Sequence, residues 1–222
     1  MRLFFRLFAA AAMAAALAVP AAQAQTANDA PGSAARTLLV VGDSLSAEYG
    51  LARGTGWVAL LAARMAEQYP NYRIVNASIS GDTTSGGASR LPALLDRHQP
   101  AIVILELGAN DALRGLSLQM TEQNLRNMAR RSRDAGARVL MVGMQIPPNY
   151  GRDYTQRFAD LFPAVAKAEQ AALVPFLMDG MATDRAMFQA DGIHPNEQAQ
   201  PALLENVWAA LRPMLEQDQP AD

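Results

Sequence analysis

Short runs of aliphatic and β-branched residues alternate along this chain with longer stretches in which apolar side chains recur every three or four positions. The short runs are Thr37–Val41, Arg73–Asn76, Ile102–Leu107, Arg138–Val142 and, more weakly, Leu173–Phe176. Helical spacing covers Trp57–Tyr69, Arg90–His98, Thr121–Ala135, Phe158–Gln170 and Glu197–Leu215. A brief apolar run has the length of a buried strand, whereas a period near 3.6 gives a helix one apolar stripe. Strands that alternate with helices imply parallel strands joined by crossover helices, an α/β three-layer sandwich. Ile102–Leu107 reads as apolar throughout, as a central strand covered on both faces would be. No repeat of solenoid period and no linker interrupts this alternation, so residues 37–218 are expected to form one domain.

Three of the strands end alike. Val41 runs into Gly42-Asp43-Ser44, the second strand into Ser78-Ile79-Ser80-Gly81-Asp82, and the third into Gly108-Ala109-Asn110-Asp111. An open parallel sheet binds its ligands outside the carboxyl ends of its strands, so these loops share one rim. Glycines on such a rim let backbone N–H groups approach a bound atom closely. A hydroxyl, exposed N–H groups and an amide together suit acyl transfer, which needs a nucleophile, a base and donors aimed at an oxyanion. Ser44 supplies the hydroxyl, and the N–H groups of Ser44 and Gly81 with the Asn110 amide supply donors.

Only two histidines are available as the base. His98 lies at the end of a helical pattern, on the amino side of the sheet, and reads as a helix C-terminal residue. His194 lies in Asp191-Gly192-Ile193-His194-Pro195, directly before the last helical pattern, with Pro195 suited to its first turn. An aspartate three residues upstream can turn back to the imidazole Nδ1, fix its tautomer and stabilise the imidazolium formed during attack. Nearness to a helix N-terminus would also help to keep that base neutral.

Composition narrows the alternatives. Half of the 222 residues are hydrophobic and the formal charge is −2, with an isoelectric point near 5.7. That balance suits a soluble α/β protein and gives no basic footprint for nucleic acid. The absence of cysteine excludes disulfides and thiol catalysis. Residues 1–24 carry Arg2 and Arg6, an apolar stretch from Leu7 to Val19, and Ala22-Gln23-Ala24. These are the three parts of a secretory signal peptide, and the apolar part is shorter than the roughly 20 residues of a spanning helix. A mature chain starting at Gln25, a flexible lead-in over 25–36, and a periplasmic or secreted location follow as expectations.

The blocks Gly42-Asp43-Ser44-Leu45-Ser46, Ser80-Gly81-Asp82-Thr83, Gly108-Ala109-Asn110-Asp111 and Asp191-Gly192-Ile193-His194-Pro195 resemble those of the SGNH, or GDSL, hydrolases. The stretches NASISGDT, RLPALL, ELGANDALRG, NYGRDY and DGIHPNEQAQP look especially like the bacterial acyl-CoA thioesterase I, lysophospholipase and arylesterase group. The resemblance implies a flavodoxin-like α/β/α sandwich with a five-stranded parallel sheet. It further implies Ser44 as nucleophile, His194 as base and then acid, Asp191 as its partner, and Ser44, Gly81 and Asn110 as the oxyanion hole. Ala112 departs from the pattern, standing where close relatives carry a second glycine, in a segment (111–116) whose closure over substrate the resemblance implies. Pro147-Pro148 looks stiffer than its counterparts.

Leu113, Leu116, Ile146, Pro147 and Tyr150 follow the third and fourth strands and are expected to line an acyl groove. Gly54-Thr55-Gly56-Trp57-Val58-Ala59 fits a dinucleotide pattern but does not directly follow a strand. Ser46 stands where a G-x-S-x-G elbow requires glycine. Asp43, Asp82 and Asp111 are read as acids that bond loop backbone rather than a cation, and no metal or cofactor is expected. The reading is an exported serine hydrolase of acyl esters and thioesters, with lysophospholipids and small or aryl esters as first substrates. A carbohydrate or peptidoglycan O-acetylesterase is the alternative, and a periplasmic binding module the non-enzyme alternative. A monomer without stable membrane insertion is expected.

Overall fold

In the computed structural model, residues 35–217 are described. The signal peptide expected over 1–24, most of the lead-in and residue 218 lie outside them. Five strands form one parallel sheet: β1 (Arg36–Gly42), β2 (Tyr72–Asn76), β3 (Ile102–Glu106), β4 (Arg138–Val142) and β5 (Ala172–Val174). Their order is β2-β1-β3-β4-β5, the flavodoxin-like arrangement that the resemblance implies. The chain steps one way from β1 to β2 and the opposite way from β2 onward. Right-handed crossovers then send the first helix to one face and the later ones to the other.

The helices are α1 (Trp57–Gln68), α2 (Thr84–His98), α3 (Ala109–Leu113), α4 (Leu118–Asp134), α5 (Arg152–Ala168) and α6 (Gln200–Glu216). α1 packs against α6, while α2 packs against α4 and α4 against α5. Between α1 and α6, the Arg64 guanidinium lies 5.0 Å from the Trp208 ring and Tyr69 meets that ring edge-on at 6.0 Å. On the other face Phe158 and Phe162 meet edge to face at 5.3 Å, a geometry worth about 0.5–1.5 kcal/mol beyond area burial. Leu38–Val41 and Ile102–Leu105 are wholly covered. The run over 102–107 is nevertheless not wholly apolar: Glu106 lies within it and is 2% exposed.

Three helices begin before the apolar period does. α2 starts at Thr84, not Arg90, because Thr83 caps it by accepting from Gly86 N–H, and its first turn holds only small residues that leave no hydrophobic trace. Ser117 caps α4 in the same way, accepting from Met120 N–H, and α5 opens after Gly151. β5 stops at Val174 because Pro175 has no N–H to continue the ladder. α6 opens at Gln200 after a short 3-10 turn, Glu197–Ala199, and Pro201 rather than Pro195 occupies its first turn.

The carboxyl ends of β4 and β5 approach so closely that only glycine fits at 143. Its N–H donates to Val174 O at 2.8 Å and its carbonyl accepts from Leu177 N–H at 2.9 Å. A β-carbon there would overlap the Pro175 carbonyl. Gly143→Ala is therefore expected to lower unfolding stability by about 1–3 kcal/mol, measured by urea denaturation. An unchanged midpoint would contradict the close approach.

Candidate active site

β1 and β3 are neighbours in the sheet, but their connections leave in opposite directions, which opens a crevice at their carboxyl ends. The loop after β1 folds into a tight turn around Asp43. The Asp43 side chain accepts from Leu45 N–H at 3.0 Å, and its carbonyl accepts from Ser46 and Ala47 N–H at 3.3 and 3.0 Å. Short acids favour such turns because they replace a backbone acceptor locally. Ser44 sits half-buried at the head of this turn.

Residues 188–195 form a small antiparallel loop closed by pairing of Phe188 with Pro195, with Gln189 N–H donating to His194 O at 2.8 Å. Pro195 is thus part of this loop and not of the helix that follows. Inside the loop Asp191 Oδ1 accepts from Ile193 and His194 N–H at 2.9 and 3.0 Å. Asp191 Oδ2 lies 2.7 Å from His194 Nδ1, and His194 Nε2 lies 3.0 Å from Ser44 Oγ. Side chains 150 residues apart in sequence are therefore in direct contact. Gln189 Nε2 fastens the two loops, donating to Tyr49 O at 2.8 Å and Pro195 O at 3.1 Å. The Tyr49 ring packs 4.5 Å from the imidazole.

The remaining predicted donors are tied to the same turn. Asn110, in the first turn of α3, donates through Nδ2 to Asp43 Oδ2 at 3.0 Å, which leaves a second amide hydrogen for another acceptor. The loop carrying Gly81 is held to β1 by Ile79 N–H, which donates to Gly42 O at 3.0 Å. Arg90 fixes the same junction. Its guanidinium donates to Ala77 O and Gly42 O and pairs with Asp82 at 2.8 Å. Among the described residues, the N–H groups of Ser44 and Gly81 meet no acceptor. Donors left free in this way are of the kind that an oxyanion hole uses.

The acids divide by environment. Burial raises the Asp43 carboxyl to about 6, against the opposing hydrogen bonds from Leu45 and Asn110. Burial, and then the neighbouring Asp43 charge, drive Glu106 well above the usual carboxylate range. Burial also pushes Asp191 upward, but the N–H groups of Ile193 and His194 and the imidazole outweigh it and hold the carboxyl at about 2. Asp191 is therefore an anion at any working pH, as an imidazolium partner must be. Asp43, Asp82 and Asp111 each accept from loop backbone, at Leu45, Thr83 and Thr84 respectively. His98 closes α2 in its last turn.

The expected groove residues separate. Leu116 and Tyr150 are exposed, Leu113 is half-buried and Pro147 is exposed, but Ile146 is packed into the core. Ala112 is fully buried in α3, and Tyr154 Oη donates to its carbonyl at 3.2 Å and to Leu116 O at 3.5 Å. Sequence reasoning missed Tyr49, Arg90, Gln189 and Glu106. Glu106 alone left a signal, an acid inside an otherwise aliphatic strand.

Residues 40–201 match the GDSL-like lipase/acylhydrolase family. The chain is 55% identical to Esterase TesA of Pseudomonas aeruginosa over 183 residues, spanning 82% of this chain and 91% of that protein. It is 43% identical over 186 residues to Thioesterase 1/protease 1/lysophospholipase L1 of Escherichia coli strain K12, spanning 84% and 88%. A crystal structure of TesA superposes with a TM-score of 0.79 at 55% identity, covering 81% of this chain and 99% of that one. A psychrotrophic esterase EstA from Pseudoalteromonas, inhibited by monoethylphosphonate, gives 0.77 at 37% identity, covering 82% and 99%. With the family spanning most of the sheet and both ends of the Ser44–His194 contact, the chain belongs to the GDSL-like lipase/acylhydrolase family of ester hydrolases.

Proposed function

We propose that this chain is an exported serine hydrolase that cleaves carboxylic esters and thioesters of acyl chains through an acyl-enzyme. The observation that carries the reading is the contact series Asp191 Oδ2–His194 Nδ1 at 2.7 Å and His194 Nε2–Ser44 Oγ at 3.0 Å. The similar proteins named as esterase, thioesterase and lysophospholipase support the same bond class. Export rests on the leader pattern of residues 1–24; among the described residues no helix is long and apolar enough to cross a membrane.

In this mechanism Ser44 Oγ attacks the carbonyl carbon while His194 Nε2 takes its proton. Asp191 holds the Nδ1–H tautomer and offsets the positive charge on the ring. The carbonyl oxygen becomes an oxyanion bound by the N–H groups of Ser44 and Gly81 and by the second hydrogen of the Asn110 amide. Collapse breaks the bond to the alcohol or thiol, which leaves with the proton held on His194. Water then attacks the acyl carbon, giving its proton to His194. His194 returns that proton to Ser44 Oγ as the second tetrahedral intermediate collapses and releases the carboxylic acid.

The surroundings support an apolar acyl or aryl group. The large hydrophobic side chains exposed among the described residues include Tyr49, Ile79, Leu116, Tyr150 and Ile193. Each belongs to a different loop at the carboxyl edge, so apolar surface surrounds the mouth of the crevice. A free amino acid or sugar ring would leave that surface wet, whereas an acyl chain covers it.

A fluorophosphonate probe should label Ser44 and fail to label Ser44→Ala; equal labelling of both chains, read by peptide mass spectrometry, would overturn the nucleophile. Asn110→Ala is expected to lower kcat on p-nitrophenyl butyrate about 10²–10³-fold, and an unaltered kcat would remove it from the oxyanion hole. Across p-nitrophenyl esters of rising chain length, Leu116→Ala should depress turnover of the longer members relative to acetate. An acetate-only profile in the native chain would point instead to O-acetyl substrates.

A further inference from the structure

We propose that Glu106 is a positioning residue of this site, a buried post that holds the turn presenting Ser44 and, through Asp43, the amide of Asn110. The inference rests on the reading of Ser44 and Asn110 given above. β1 and β3 pair so that Gly42 lies opposite Glu106, which sets the carboxyl directly beneath the turn. Its Oε2 accepts from Ser46 Oγ at 2.7 Å and from Asp43 N–H at 3.3 Å. These two contacts bracket Ser44 on either side.

Asp43 extends the chain of bonds outward. Its carboxylate accepts from Leu45 N–H and from Asn110 Nδ2, both at 3.0 Å. A shift of the turn therefore moves the hydroxyl and one oxyanion donor together. Gly42 is what lets the post stand there: a β-carbon would lie 2.8 Å from Glu106 Oε2 and 2.7 Å from Ser46 Oγ. Ser46, the residue that breaks the elbow pattern, thus has a use of its own as the donor to Glu106.

Packing alone does not account for an acid at this position. The four preceding residues of β3 are wholly buried aliphatics, and a carboxyl in such a place is costly unless its hydrogen bonds are needed. The charged and titratable groups around it are few. Asp43 faces it from the β1 loop, and Arg90 of α2 spends its guanidinium on Ala77 O, Gly42 O and Asp82. His194 acts on Asp43 from the far side of the turn. With an acid and, among the described residues, no cation in contact, Glu106 keeps its proton, consistent with its raised titration. Glutamine can make the same neutral contacts.

The test uses the full chain carrying Glu106→Gln, Glu106→Ala or Ser46→Ala, with kcat and KM measured on p-nitrophenyl butyrate and thermal melts recorded for each. Glu106→Ala should lower kcat by about tenfold to a hundredfold, as small displacements of reacting groups do. KM should stay within about twofold, because the acyl chain does not touch this residue, and Glu106→Gln should restore most of kcat. A chain that melts earlier yet turns over at the native kcat would overturn the proposal. Should Glu106→Ala not fold, Ser46→Ala decides: a fall in kcat without a change in KM supports the post, and the native kcat removes it. The two failures are distinguishable: turnover by Ser44→Ala would sink both the nucleophile and its post, whereas an inactive Ser44→Ala beside a Glu106→Ala of native kcat would sink the post alone.

Stability gives an independent readout. A carboxyl raised in the folded state contributes fully below its unfolded value near 4.3 and loses that contribution as pH climbs toward the folded value. The melting temperature of Glu106→Gln should therefore gain on that of the native chain between pH 5 and pH 8. A constant gap would contradict a protonated Glu106.

Discussion

A hydrogen bond between an imidazole nitrogen and a serine hydroxyl is a short-range object, and the 3.0 Å contact of His194 with Ser44 must be held by a frame stiffer than either side chain. The frame is the parallel sheet. Because all five strands run the same way, every connection returns to the amino edge and every carboxyl end is left free for a loop. The turn after β1 carries Ser44, the first turn of α3 after β3 carries Asn110, and the segment before α6 returns His194 to that edge. Had one strand been reversed, its loop would lie some five residues of strand away, too far for any side chain to bridge.

The frame alone does not fix the loops, and here buried polar groups matter more than apolar packing. Asp43, Glu106 and Asp111 are each almost wholly covered, yet each is met by donors. Asp111 accepts from Thr84 N–H at 2.9 Å and Thr84 Oγ1 at 2.5 Å, joining α3 to the first turn of α2. Arg90 clamps β1 to the loop after β2 from below. These contacts tie neighbouring loops to one another, so the site is a meshed rim rather than a set of independent arms. The His194 loop is held differently, by Gln189 across to Tyr49 and by Arg185, which donates to Gln189 O and Ala190 O at 2.6 and 2.8 Å. Its acid partner is the more exposed one, and backbone N–H groups rather than burial keep it charged.

The alternation of apolar runs disclosed the strands and the class of fold, because a strand covered on both faces cannot hide its composition. The recurrence of small and polar residues after three strands disclosed which loops share the carboxyl rim of the sheet. Helix starts were harder to see. The first turn of α2 is Thr84-Ser85-Gly86-Gly87, small residues bonded to a cap and an acid, so it adds nothing to a hydrophobic period. Glu106 was absorbed into an aliphatic run, since periodicity counts one acid as noise while only the register opposite Gly42 gives it a partner. Ile146 followed the right strand, but loop position does not set which way a side chain turns. Tyr49 and Gln189 act through contacts across 140 or more residues, for which a single sequence offers no signal.

If an alcohol, an imidazole and free N–H groups from distant loops act on one carbonyl, an acyl-enzyme must form on Ser44. Its most direct measurement is the mass of the protein quenched in acid within milliseconds of mixing with p-nitrophenyl butyrate, followed by peptide mapping. A butyryl adduct on Ser44 that decays at the turnover rate is expected. A burst of p-nitrophenol without a matching adduct on Ser44, or an adduct mapped to another side chain, would contradict it.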